Sequence, residues 1–87
     1  MTNNFSYKTD GVCSEQIDIE TIGGNIKSVN FEGGCDGNLK GLCKLLEGMA
    51  VDSAIDKLSG ILCGDKDTSC PDQLAKALIS AKKAGQI

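Results

Sequence analysis

Eighty-seven residues with nine lysines, no arginine and 12 acidic residues carry a formal net charge of −3, a length suited to one small domain over 1–87. Histidine and tryptophan are also absent, which excludes Ser-His-Asp and Cys-His nucleophile systems and mixed Cys/His zinc sites. With acid in excess and no arginine, the chain lacks the basic footprint of a nucleic-acid binder.

A chain this short buries only about 60–65 % of the surface it exposes when unfolded, and Phe5, Tyr7 and Phe31 are its only aromatic mass. Small scaffolds of this kind are commonly stapled by disulfides, a metal or an oligomer interface. Five cysteines are the obvious staple. Residues 1–10 have neither a basic start nor an apolar core, so they do not read as a signal peptide. No stretch approaches the length of a membrane span. A cytoplasmic location is expected, where thiols act as metal ligands or reactive groups rather than as disulfides.

The first elements are strands. Phe5, Tyr7 and Thr9 alternate with polar residues up to the Asp10-Gly11 turn, and Ile17, Ile19 and Thr21 alternate with Asp18 and Glu20. Gly23-Gly24-Asn25 is a hairpin signal, because these residues accept positive φ. The return strand covers 26–31, with Val29 and Phe31 on one face. Together they predict a three-stranded antiparallel meander.

Helical spacing begins after the loop 33–38. Leu39, Leu42, Leu46 and Met49 form an apolar stripe that includes Cys43, with Gly48 as a stop. A short second helix places Val51, Ala54, Ile55 and Leu58 inward; Ser53 and Asp56 match capping-box spacing and Gly60 ends it. The last helix opens on Ser69 or Cys70 as N-cap, with Pro71 in the first turn and Asp72 at the positive end of the dipole. Its inward face is Leu74, Ala75, Leu78 and Ala81, and Gly85 closes it. Strands followed by two or three helices on one face make an α+β two-layer sandwich.

The cysteines fall at 13, 35, 43, 63 and 70. Cys43 lies within an amphipathic face and reads as a core residue, since a free cysteine packs as a small hydrophobe. Cys13, Cys35, Cys63 and Cys70 sit at element ends, where side chains can converge, and four thiolates can hold a tetrahedral metal. Intervals of 21, 27 and six residues are not those of paired knuckles. Unrelated buried thiols are the competing reading of that spacing. A helix start favours an anionic thiol at Cys70. Gly33, Gly34 and Gly37 give the backbone around Cys35 the freedom to turn its N–H groups toward a sulfur.

Thr68-Ser69-Cys70-Pro71-Asp72 is the motif from which the TSCPD domain family takes its name. Gly11-Val12-Cys13-Ser14, Gly34-Cys35-Asp36-Gly37-Asn38 and Cys63-Gly64 resemble that family's other segments in the same order. The chain looks like the short stand-alone branch. The same domain type closes the cobalamin-dependent ribonucleotide reductases, whose catalytic barrel could not fit here. The resemblance therefore implies an accessory or partner-binding module rather than a reductase. More distantly, the order of strands, cysteines and helices is similar to the NifU/IscU-type iron–sulfur scaffolds, which implies a SufE/NifU-like sandwich. Carried over, the scaffold positions fall on Cys13, Glu15, Cys35 and Cys70. The scaffold's histidine is replaced by Ser69, and Cys63 is extra.

The expected function is a four-cysteine site for zinc or an iron–sulfur cluster, with Glu15 and Ser69 as additional or supporting ligands. Alternatives are a sulfur- or electron-accepting thiol at Cys70 resolved by Cys63, or a nucleotide, flavin or partner-binding accessory domain. The loop of Gly33, Gly34, Gly37 and Asn38 reads first as a turn that positions Cys35 and second as an anion-binding loop for a nucleotide, with no Walker A pattern present. No acid–base array supports an enzyme. An unprotected sheet edge would admit a homo-oligomer.

Overall fold

The computed structural model describes residues 2–12, 14–33, 36–62, 64, 66–85 and 87. Three antiparallel strands, β1 (Thr2–Lys8), β2 (Ser14–Ile22) and β3 (Asn25–Gly33), form a sheet in the order β1-β2-β3. Three helices follow: α1 (Asp36–Leu46), α2 (Val51–Leu58) and α3 (Cys70–Lys83). The expected α+β arrangement is present.

The sheet sorts its faces by side-chain period. Ile17, Ile19 and Thr21 of β2 and Ile26 and Val29 of β3 are buried, and Phe5, Tyr7 and Phe31 pack partly against the same core. The opposite face is polar. Ser6 Oγ and Gln16 Nε2 donate to Asp18 Oδ1 at 2.7 and 2.8 Å, and Ser28 Oγ donates to Glu20 Oε1 at 3.1 Å. β1 pairs with β2 without interruption from Thr2↔Ile22 to Lys8↔Gln16. The β2–β3 register shifts twice, at Glu15 and at Lys27, where one strand carries an extra residue. These bulges let Ser14 share the buried phase of Ile17, and Ile26 that of Val29.

The helices depart from the sequence reading at both ends of α1 and at the start of α2. α1 begins at Asp36, so Gly37 and Asn38 belong to its first turn rather than to a loop. It ends at Leu46, and Met49 lies beyond it, after Gly48 at φ +84°. The capping box at Ser53 does not form. α2 starts at Val51 after Ala50, with no side-chain cap. Its start is set by the sheet instead: Gly48 N–H donates to Ile26 O (2.7 Å), Ile26 N–H to Met49 O (2.8 Å) and Val51 N–H to Gly24 O (2.9 Å). The turn between β2 and β3 thus satisfies the first free N–H of α2.

α3 follows the sequence closely. Leu74, Ala75, Ala77, Leu78 and Ala81 are at most 2 % exposed, so this helix lies against both the sheet and α2. Small alanines permit that approach. A Lys82–Asp52 ion pair also joins α3 to α2.

Candidate functional site

The Thr-Ser-Cys-Pro-Asp segment is the most heavily hydrogen-bonded stretch described, and each of its polar side chains has a structural task. Ser69 is the N-cap of α3, in extended conformation, and its Oγ accepts from Asp72 N–H at 3.1 Å. The same hydroxyl donates to Ile61 O at 2.5 Å. Asp72 in turn takes Gly60 N–H at 2.8 Å on one oxygen and Thr68 Oγ1–H at 2.5 Å on the other. Gln73 Nε2 donates to Thr68 Oγ1 at 3.0 Å, and Gln73 Oε1 accepts from Asp10 N–H at 3.2 Å. Thr68, Ser69, Asp72 and Gln73 are all buried, so the network is shielded from water and its bonds are strengthened accordingly.

The consequence is a junction. Ser69 and Asp72 tie the segment after α2 to the start of α3, while Gln73 ties in the turn between β1 and β2. The Thr68 hydrogen bond, then the Gly60 N–H and the Lys76 ammonium 3.4 Å away, hold the Asp72 carboxyl below its ordinary pKa.

Cys70 sits at the centre of this junction, in the first turn of α3 and 8 % exposed. Its Sγ is 3.1 Å from Ser14 Oγ in a buried pair. Ser14 pairs across the sheet with Gly33, the last residue of β3. Its carbonyl accepts from Thr9 Oγ1 at 2.5 Å. Sequence alternation counted back from Ile17 puts Glu15 inward and Ser14 outward. The bulge at Glu15 reverses that, and no residue type announces it.

Of the other expected site residues, Cys13, Gly34, Cys35 and Cys63 lie outside the described residues. Glu15 is exposed, its carbonyl accepting from Thr9 N–H at 3.2 Å. Gly33 is exposed at φ +80°. Gly37 and Asn38 are exposed in the first turn of α1, with Gly37 in an ordinary backbone conformation. Among the described residues, no group of three or more Cys, Asp and Glu side chains could hold a metal. Cys43 packs at the edge of the core, as expected, and lines a cleft of about 350 Å³ between β3 and α1 together with Val29, Phe31 and Leu39. Burial pushes its thiol pKa up, against a smaller opposing effect of a hydrogen bond from the Phe31 backbone.

No helix among the described residues is long and apolar enough to cross a membrane. A meander, three helices and a buried cysteine at the last helix start define a small α+β thiol-bearing domain. The sequence model of the TSCPD domain matches residues 2–82, and the chain belongs to the TSCPD domain family. No curated protein matches the chain significantly. No solved structure does so either.

Proposed function

We propose that this domain is a metal-binding module in which Cys13, Cys35, Cys63 and Cys70 supply thiolates to zinc or an iron–sulfur centre. One observation carries the reading: the described neighbours of the other three cysteines gather around the start of α3. Ser14, adjacent in sequence to Cys13, touches the Cys70 sulfur, and Gly33, two residues before Cys35, is paired with Ser14. Ile61, two residues before Cys63, is bonded to Ser69.

The chemistry of the donor set fits. Thiolates are soft ligands that select zinc and iron–sulfur centres over magnesium or calcium. A closed all-thiolate zinc site would add folding free energy to a core with little aromatic mass. An iron–sulfur centre would point to electron transfer or cluster assembly, as the distant scaffold resemblance suggests. A freely reactive thiol at Cys70 is less favoured, because that side chain is only 8 % exposed.

The test is metal quantification on protein purified without oxygen, with serine placed singly at each cysteine. Substitution at 13, 35, 63 or 70 is expected to remove metal, while Cys43→Ser retains it. Zinc without colour, or iron with sulfide and visible absorbance, decides between the two centres. Protein that carries no metal and whose unfolding a chelator leaves unchanged would overturn the proposal.

A further inference from the structure

We propose that Ser14 is a positioning residue for the thiolate site, its hydroxyl donating a hydrogen bond to Cys70 Sγ when that sulfur is bound to metal. The inference rests on the metal-binding reading above and concerns a side chain the cysteine pattern does not include.

Three observations carry it. The Ser14 Oγ to Cys70 Sγ separation is 3.1 Å, and the two residues are 3 % and 8 % exposed, so bulk water is a poor substitute for either partner. Ser14 is also held in place by its backbone. Thr9 grips it from both sides of the bulge, its hydroxyl donating to Ser14 O at 2.5 Å and its N–H to Glu15 O at 3.2 Å. The bulge itself turns Ser14 toward the helices in phase with Ile17. A β-bulge beside a site is a common device for re-aiming one side chain.

The chemistry explains why a hydroxyl suits this position. A thiol can donate its S–H to Ser14 Oγ, whereas a thiolate has no proton and can only accept. A rotating hydroxyl serves both states without moving a heavy atom. When metal binds, the Cys70 proton leaves to solvent and a sulfur–metal bond forms. The Ser14 O–H then turns toward the sulfur. Donation to the sulfur draws electron density from it and aims its remaining lone pairs, the task that hydrogen-bond donors behind metal ligands generally perform.

The test uses Co²⁺ titrated anaerobically into the reduced full chain, followed by its sulfur-to-metal charge-transfer absorption. The proteins compared are wild type, Ser14→Ala and Cys70→Ser. Ser14→Ala is expected to weaken Co²⁺ binding by about tenfold or more. It should also move the charge-transfer band to lower energy, because the sulfur lone pairs lose a stabilising donor. Thermal unfolding of the metal-free Ser14→Ala protein is measured alongside. Unchanged affinity and band would overturn the role of Ser14. So would an affinity loss with an unshifted band and a lowered metal-free Tm, since that marks general destabilisation. Cys70→Ser separates the two proposals. If it binds Co²⁺ as wild type does, the metal-site reading itself fails; if it loses Co²⁺ while Ser14→Ala does not, only the inference about Ser14 fails.

Discussion

Asp72 accepts the backbone N–H of Gly60 at 2.8 Å, and this bond fastens the segment that follows α2 to the first turn of α3. The carboxylate that names the end of the family motif is therefore a tie between chain segments. Thr68 and Lys76 complete its surroundings at 2.5 and 3.4 Å. Hydrogen bonds to a buried charged group contribute about 1.5–3 kcal/mol, so Asp72→Ala should lower unfolding free energy by about 2 kcal/mol or more. Urea denaturation measures it, and a loss within 0.5 kcal/mol, about the scale of a surface substitution, would contradict the tie.

Acid titration gives a second test of the same residue. Its folded pKa lies below the ordinary aspartate value of 3.8, because the Thr68 hydroxyl and then the Gly60 N–H favour the charged form. A depressed folded pKa contributes stability that is fully present above 3.8 and is lost as pH falls from there through the folded value. The wild-type Tm should therefore fall below pH ~4. Asp72→Asn should show a shallower fall, not an unchanged one. Some slope will persist, since hydrogen bonds from Ser6 and then Gln16 also hold Asp18 below its ordinary pKa.

Two serines test how the helix starts are made. Ser69→Ala removes a cap and frees Ile61 O, and should cost about 1–2 kcal/mol. Ser53→Ala should be nearly neutral, within about 0.5 kcal/mol, because Ser53 lies exposed inside α2 rather than at its N-cap. Equal losses at the two positions would mean that a capping box does form in α2.

What was legible in the sequence follows from how local its cause is. α3 announces itself through Ser69, Pro71 and a 3.6-residue apolar period, and the meander through alternation and Gly23-Gly24. The start of α2 was misread because a long-range pairing of 48–51 with β3, not Ser53, sets it. Likewise α1 extends back over Gly37 and Asn38, two poor helix formers whose propensity gives no sign of it. In the site, Cys70 at a helix start was readable. Ser14 was not, since the bulge that turns it inward depends on strand register and leaves no mark in residue type.

Cys43 should behave as a packed thiol with limited access. Burial raises its pKa above the ordinary value of 9.0, so less thiolate is present at any given pH and alkylation should be slow. In a variant with serine at the other four cysteines, the pH midpoint of iodoacetamide reaction should exceed that of the same chain in urea. A midpoint equal to the denatured value would remove Cys43 from the core edge. Should that variant not fold, the same comparison on the wild type, with mass mapping of Cys43, gives the answer.

Glycine substitutions distinguish a helical start for α1 from an anion-cradling loop. Gly37 and Gly41 lie in α1, neither has positive φ, and a Cβ at either meets nothing within 4 Å. In a helix, Gly→Ala at such positions restricts the unfolded chain more than the folded one and stabilises by about 0.4–1 kcal/mol. Gly41 is helical on either reading and serves as the reference. Gly37→Ala should match it in sign and size if the helix begins at Asp36, and should destabilise if residue 37 needs a backbone conformation closed to alanine. Gly48, at φ +84°, is the opposite control: Gly48→Ala should cost about 1 kcal/mol, because a Cβ is disfavoured in the left-handed region. Denaturation midpoints of the three variants under one set of conditions decide the matter, and a destabilised Gly37→Ala beside a stabilised Gly41→Ala would restore the loop.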